Sequence, residues 1–369
     1  IFVYSFNFDF HRVHYIINLT MNTTPKIDFA VGGQAVIEGV MMRSPNSIVI
    51  SARRPNQSIA VQEKFYQTLT QKYKIFNLPI IRGMLNLIEM MVIGSKAINF
   101  SASVSMDEVK PKKKTKKQSI LQKMIEALMF VFSLVIALAL SIFLFKFLPL
   151  WITTVIEKYS STIKENYIIF NLIDGILKTF FFIMYIYILS LLPSFKRIFE
   201  YHGAEHKAVF TYEKGLDLTV KNAAKQSRFH PRCGTSFILI VFVISILVYT
   251  FIPRNPDFTR NLLVRLAFLP VIAGISYEYL KISARYADKA WTRIFVAPGL
   301  CMQRLTTREP DKSQLEVALH SLELALKKEQ QLAKKKIANT KFKKTTKNGK
   351  ASTHGSKSRQ SKTQKRRVV

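Results

Sequence analysis

Apolar runs of membrane-spanning length dominate the middle of the chain. The first, within 120–151, carries no charge for about 20 residues, which is enough for a helix to cross the hydrocarbon core of a bilayer. Three more follow at 168–193, 236–253 and 262–280. The last is weaker, because charged residues, a proline and a glycine interrupt it. The pattern predicts four transmembrane helices and a predominantly α-helical, polytopic membrane protein.

Apolar and polar residues alternate over a shorter interval in the N-terminal region, in a pattern typical of strands. "SIVISARRPNQSIAVQEKF" predicts two short strands around a turn at 54–57, where proline and asparagine favour the turn. The preceding "VGGQAVIEGVMMRSP" has paired glycines, a short apolar run and a closing proline, and we expect Glu38 in a turn that leads into a strand. These patterns predict a small antiparallel β unit.

A helix with a narrow polar stripe is predicted at 78–98. Arg82, Asn86, Glu89 and Lys96 fall on one helical face, whereas Met, Leu, Ile and Val occupy the others. The interpretation we favour is an amphipathic helix in the membrane interface. The alternative is a span whose polar stripe faces protein.

The C-terminal region contains a predicted helix followed by a polar, basic tail. Ser313 and Glu316 have the spacing of a capping box, and leucines repeat at helical intervals after them. Beyond residue 334 the chain is Lys, Thr, Ser and Gly with almost no apolar residue, which predicts disorder.

The predicted organisation has seven parts: an N-terminal extension, the β unit, the amphipathic helix, a basic linker, the membrane domain, a helical segment and a basic tail. Their ranges are, in that order, 1–28, 29–67, 68–108, 109–119, 120–293, 294–333 and 334–369.

Charge adds an orientation to this organisation. The chain of 369 residues has a formal net charge of +32, although 49% of its residues are hydrophobic. The loop at 194–235 contains eight Lys and Arg residues, whereas the loops at 152–167 and 254–261 contain two each. The positive-inside rule therefore predicts that both termini and the 194–235 loop are cytoplasmic. The two cysteines do not make a disulfide framework, which agrees with a reducing compartment.

The residues with the strongest signal for a functional site lie in this basic loop. In "YHGAEHKAV", His202 and His206 are four residues apart, so a helix projects both imidazoles from one face. Two such histidines can hold one zinc ion, and the order His-x-x-Glu-His occurs in the inverzincins. Glu205 would then be the general base on a water molecule at the metal.

A second motif in the loop adds donors. "RFHPRCGTSF" contains His230 and Cys233 at a spacing that suits metal ligation. Cys233 precedes the third predicted span and His202 follows the second, so both can meet at one membrane surface. The alternative is that the histidines bind backbone or lipid headgroups, while Glu205 pairs with Lys207 or Arg228.

Other charged residues predict less specific roles. Glu278, inside the fourth predicted span, is expected to pair with Lys281 or Arg285, or to complete the metal site. Asp174 and Lys178 are four residues apart in the second span and are expected to neutralise each other. The basic tail suits anionic lipid headgroups. It lacks interleaved aromatic residues, so specific nucleic-acid binding is not expected.

Five segments in order resemble the YqhQ-like family of bacterial integral membrane proteins: "VGGQAVIEGVMMRSP", "LPIIRGMLNLIEMMVIGSKAI", "YHGAEHKAVFTYE", "FHPRCGTSF" and "APGLCMQRLTTREP". The resemblance covers residues 29–325. The family has unknown function and is labelled as predicted metal-dependent enzymes. The resemblance implies a bacterial inner-membrane protein with metal at the histidine block, which here means His202, His206, His230 and Cys233.

Two functions follow as expectations. The first is a hydrolase with a divalent metal, zinc, at the cytoplasmic face, acting on a peptide or a lipid-linked substrate with Glu205 as base. The second is a non-catalytic membrane scaffold or assembly factor in which the same residues form a structural metal site. A transporter is least favoured, because the spans contain few ionisable residues and no repeat.

Overall fold

The computed structural model of the protein describes residues 31–106, 120–231, 233–252, 257–285 and 292–332. The predicted N-terminal extension, basic linker and basic tail lie outside the described residues. What is described is mostly helical with one small sheet, as the sequence predicts.

The N-terminal β unit is a four-stranded antiparallel sheet in the order β1-β2-β3-β4. Its strands are β1 (Gly32–Val36), β2 (Gly39–Arg43), β3 (Ser47–Arg53) and β4 (Ile59–Phe65). The predicted turn joins β3 to β4, and the Gln57 amide donates to the Arg54 carbonyl over 2.9 Å. Glu38 lies in the β1–β2 turn with a φ of 50°. The prediction of a small antiparallel unit is confirmed.

Helices cover both faces of this sheet. Val40, Met42 and Val49 pack against the helices at 193–213 and 312–332. Met41 and Ile50 face the other way and pack against the helix at 81–105. Because both faces are buried, the central strands need continuous apolar runs rather than strict alternation.

The sheet is followed by a short helix, α1 (Leu69–Lys72), and a long one, α2 (Ile81–Ser105). The first turns of α2 contact the helix at 269–285, where Asn86 donates to the Tyr277 hydroxyl over 2.9 Å. Its later turns pack on the sheet, and Ser101 accepts from the Ile37 amide at 3.1 Å. α2 therefore connects the sheet to the apolar helices. Its 25 residues have the length and hydropathy of a span, so the interfacial location stays a prediction.

The apolar helices come next in the chain. They are α3 (Ile120–Ile142), which continues through a π-helical segment (Phe143–Phe147) into α4 (Leu148–Glu157), then α5 (Ser161–Glu165), α6 (Tyr167–Leu191), α9 (Gly234–Thr250), α10 (Phe258–Ala267) and α11 (Leu269–Arg285).

Within the described ranges, three helices are long and apolar enough to cross a membrane: Ile81–Ser105, Val131–Glu157 and Tyr167–Leu191. A fourth candidate is the pair α10 and α11, which is bent by 40°. The third predicted span corresponds to α9, whose 17 residues are shorter than a typical span. The fourth predicted span falls on the pair α10 and α11, where the chain bends at Phe268, just before Pro270. The helices as a set indicate a membrane protein.

The remaining helices are α7 (Pro193–Glu213), α8 (Val220–Ala224), α12 (Thr292–Thr306) and α13 (residues 312–332). The capping box of α13 lies two residues earlier than predicted. Asp311 accepts from the Gln314 amide, and the Gln314 side chain accepts from the Asp311 amide, both at 2.8 Å. The leucine repeat packs on the sheet and α7, as expected, through Leu315, Leu319 and Leu322.

Gly203 explains how closely the chain packs on α7. A Cβ at this position would collide with the carbonyl oxygen of Arg308. The Arg308 amide in turn donates to the Phe199 carbonyl over 2.9 Å. Glycine therefore lets the segment after α12 lie directly against the helix.

Gly203→Ala is expected to lower the thermal unfolding midpoint of the detergent-purified protein. Alanine is the better helix former by about 1 kcal/mol, but overpacking against a backbone oxygen costs about 1–3 kcal/mol. Gly32→Ala is the matched control, because nothing lies within 4 Å of a Cβ added there. If tryptophan fluorescence gave Gly203→Ala a midpoint at or above that of the parent, the described packing would be wrong.

Candidate metal centre

α7 brings two of the predicted ligands together. His202 and His206 lie one helical turn apart, and their ring centroids are 4.4 Å apart with an interplanar angle of 60°. Pro193 occupies the first turn of α7, where a missing N–H is tolerated. The second half of the helix is almost fully buried between the sheet, α8 and α13.

Cys233 joins the pair from the end of the loop that precedes α9. Its sulfur lies 3.2 Å from Nε2 of His202. One ligand atom from each of His202, His206 and Cys233 lies within 4.8 Å of the other two. Of the four predicted metal ligands, these three therefore form one group.

Backbone carbonyls orient both rings. Nδ1 of His202 is 2.8 Å from the Thr306 carbonyl oxygen, and Nδ1 of His206 is 2.5 Å from that of Arg228. Because a carbonyl only accepts, each Nδ1 carries the hydrogen and each Nε2 keeps its lone pair. Nε2 of His206 is buried and has no hydrogen-bond partner among the described residues. Metal-binding histidines are commonly held in this way, with the second nitrogen bonded to a carbonyl.

Glu205 lies beside the group. One carboxylate oxygen is 3.6 Å from Nε2 of His206, and the carboxylate accepts a hydrogen bond from the backbone of Gly33 in β1. A Cβ on Gly33 would lie 2.8 Å from Cγ of Glu205, so the close approach requires glycine. The sheet thus fixes the position of the carboxylate that α7 presents.

Burial determines the protonation of these groups. Loss of water lowers the pKa of both His202 and His206, which favours the neutral imidazoles that metals bind. Burial also raises the pKa of Glu205, an effect that the neighbouring imidazoles oppose. Within the described part of the chain, no Lys or Arg pairs with this carboxylate. A divalent cation would supply the missing positive charge, so the donor set fits a metal ion.

The predicted alternative partners of Glu205 are engaged elsewhere. Nζ of Lys207 is 2.8 Å from the Glu309 carboxylate, and the Arg228 guanidinium lies 3.6 Å from the same side chain. The alternative, in which Glu205 pairs with Lys207 or Arg228, is therefore not what the described ion pairs show.

His230 lies next to the group, with its ring centroid 5.6 Å from that of His206, but it is not among the three residues whose ligand atoms converge. Its Nε2 is 3.2 Å from the Glu213 carboxylate, and its ring packs on Phe210 at 4.4 Å. Gln303 bonds both the amide and the carbonyl of His230, each at 2.7 Å. His230 thus helps hold the loop that carries Cys233.

Glu278 is not part of the group. Its carboxylate forms a two-pronged ion pair with Arg82 of α2, whereas no described ion pair joins it to Lys281. The side chain of Arg285, the other predicted partner, lies outside the described residues. Helix α2 approaches α11 from another part of the chain, which is why local spacing predicted the wrong partner.

The groups that orient the two histidines and Glu205 belong to no recognisable sequence motif. The carbonyls of Thr306 and Arg228 act through the backbone, and Gly33 acts through the absence of a side chain. Their only signal in the sequence is that two of the three lie in segments that resemble the YqhQ-like family, "VGGQAVIEG" and "QRLTTREP".

Comparison with known proteins assigns a family. Residues 78–328 match the family described as Protein of unknown function (DUF1385). The uncharacterized protein YqhQ of Bacillus subtilis (strain 168) is 34% identical over 314 residues, which cover 82% of this chain and 94% of that protein. No solved structure gives a significant match. The resemblance to YqhQ-like proteins is thereby confirmed, and the chain belongs to the DUF1385 family of proteins of unknown function.

Proposed function

We propose that the protein is a metal-dependent hydrolase in which His202, His206 and Cys233 hold a zinc ion and Glu205 is the general base. The observation that carries this proposal is the convergence of three ligand atoms within 4.8 Å of one another, with the Glu205 carboxylate beside them. The donor types match those that zinc takes in proteins.

The number of ligands favours catalysis. Structural zinc sites have four protein ligands, whereas catalytic sites have three and keep one position for water or substrate. Zinc in such a site lowers the pKa of water and polarises a carbonyl or phosphoryl oxygen.

The chain's own groups have defined tasks in this proposal. Hydrogen bonds to the Thr306 and Arg228 carbonyls keep both Nε2 atoms directed at the site. The Gly33 amide holds the Glu205 carboxylate, which takes a proton from the attacking water and returns it to the leaving group. His202 is the partly exposed member of the group, so substrate would approach from its side.

The setting favours a substrate at the bilayer surface. His202 follows α6 by eleven residues, and Cys233 directly precedes α9, so the site lies at the ends of two apolar helices. With the charge distribution of the loops, this end is the cytoplasmic face of a bacterial inner membrane. A peptide or a lipid-linked molecule fits that location, and the basic tail would bind anionic headgroups there.

A second candidate function is a scaffold with a structural zinc site. The Glu205 oxygen lies only 3.6 Å from Nε2 of His206, so the carboxylate is close enough to become a fourth ligand. Four protein ligands would leave no position for water.

Metal content tests the ligand set. The detergent-purified parent is expected to contain stoichiometric zinc by elemental mass spectrometry, and His202→Ala/His206→Ala is expected to contain none. Cobalt reconstitution should add a sulfur-to-metal absorption band that Cys233→Ser abolishes, because that sulfur is the thiolate ligand.

His320→Ala and Cys301→Ser are the matched controls. His320 contacts Ser51 and neither residue belongs to the group, so both variants should keep zinc and the cobalt band. Undiminished zinc in the double histidine variant would refute the assignment.

Glu205→Gln distinguishes the two functions. For a hydrolase, the variant should keep its zinc and its unfolding midpoint but lose about 10²–10⁴-fold in turnover, because only the proton transfer is removed. Turnover is measured by mass spectrometry on a peptide library and on a membrane lipid extract.

For a scaffold, the parent should turn over neither mixture, and Glu205→Gln should lose zinc together with thermal stability. That combination of results would replace the hydrolase by the structural site.

A further inference from the structure

We propose that the apolar helices contain a second site, which binds an anionic phosphate group. Its core is a basic cluster of Lys146 in the π-helical segment, Lys178 in α6 and Arg265 in α10, gathered around Tyr249 of α9. The three cationic groups lie 5.4, 5.1 and 4.8 Å from the centroid of the Tyr249 ring.

One carboxylate pairs with two of the three cations. Lys178 and Arg265 both pair with the same oxygen of Asp174, Oδ2. The other oxygen, Oδ1, is buried and has no hydrogen-bond partner among the described residues. The expected pairing of Asp174 with Lys178 is thus confirmed, and Arg265 shares the same carboxylate oxygen.

The charges of the cluster do not balance. Asp174 is the acid that the described ion pairs place in the cluster, so two positive charges are uncompensated when both lysines are protonated. Lys178, Asp174 and Arg265 are at most 4% exposed. Uncompensated charge among apolar helices is costly and marks a functional site by default. A bound anion would remove this cost.

Hydrogen-bond donors also remain available. A lysine ammonium has three N–H donors. The contacts described for Lys146 use one of them, at 3.4 Å to the Tyr249 hydroxyl, and Lys178 uses one in its ion pair. The neutral side chain of Asn171 also belongs to the cluster: it accepts a hydrogen bond from Arg265 and donates one to the Tyr249 carbonyl over 2.8 Å.

Charge and geometry select the class of ligand. A phosphate monoester carries about −1.5 to −2 at neutral pH and three acceptor oxygens. This matches the two excess charges of the cluster with both lysines protonated, and their spare donors. Lys146 is the partly exposed member and forms the open side of the cluster. It lies in a π-helical segment, a distortion that is frequent at functional sites.

This site is separate from the candidate metal centre. Tyr249 lies 15 residues beyond Gly234, the first residue of α9, which is about 22 Å at 1.5 Å per residue. Asp174 lies seven residues, or about 10 Å, from the start of α6. The headgroup of a lipid at that end of the helices, or a free phosphate ion, would be within reach.

Two binding measurements distinguish these sources. Native mass spectrometry of the detergent-purified full chain, incubated with phosphatidic acid, reports the lipid headgroup. Equilibrium binding of radiolabelled inorganic phosphate reports the free ion. Lys146→Met is expected to weaken whichever binding occurs at least tenfold, because it removes the accessible donor.

Lys158→Met is the matched control, since this exposed lysine lies outside the cluster, and its binding should equal that of the parent. His202→Ala/His206→Ala should also bind normally, which separates this proposal from the hydrolase. Asp174→Asn should tighten binding, because it adds net positive charge, whereas a purely structural role predicts only destabilisation.

No binding of either probe, or binding that Lys146→Met and Lys158→Met affect equally, would overturn the proposal. In that case the cluster would have to be neutralised within the chain itself.

Discussion

The enclosure of α7 is the constraint on which the candidate metal centre depends. This helix carries two histidines, a glutamate and a lysine within six residues, yet it is buried like a core helix. It reaches that state because four backbone groups complete the hydrogen bonds of its polar side chains. They are the Gly33 amide in the sheet, the Ala224 carbonyl at the end of α8, the Arg228 carbonyl in the following loop and the Thr306 carbonyl at the end of α12. Removal of any one of these contacts would leave a buried polar group unsatisfied, which is expensive at this depth.

The sequence predicted what local periodicity determines. The apolar runs, the hairpin turn, the leucine repeat and the common face of His202 and His206 all depend on neighbouring residues, and they were found. The bend at Phe268, the capping box of α13 and the partners of Glu278 and His230 were not. Each depends on which segments meet in space. Arg82 binds Glu278 from 196 residues away in the chain, and Glu213 binds Nε2 of His230.

The two polar centres occupy opposite ends of the same helices. The His/Cys group lies on α7 and the loop before α9, between α6 and α9 in the chain. The basic cluster lies at the π-helical segment and just before the α10–α11 bend. A regular helix hydrogen-bonds its own backbone groups, and it projects side chains towards one neighbour only at intervals of three to four residues. An interruption allows side chains from several helices to converge, which explains why the ionisable residues of the apolar region collect there.

The double burial of the sheet has a consequence for biosynthesis. β4 ends at Phe65, whereas α13, which covers one face of the sheet, is described over residues 312–332. At about 5–20 residues per second, a ribosome needs roughly 15–50 s to make the intervening chain. Throughout that interval the nascent strands display an apolar surface without its cover, and their free edges are open to pairing with other chains. We therefore expect the hairpins to need protection, by a chaperone or by early contact with α2, until α13 has left the ribosome.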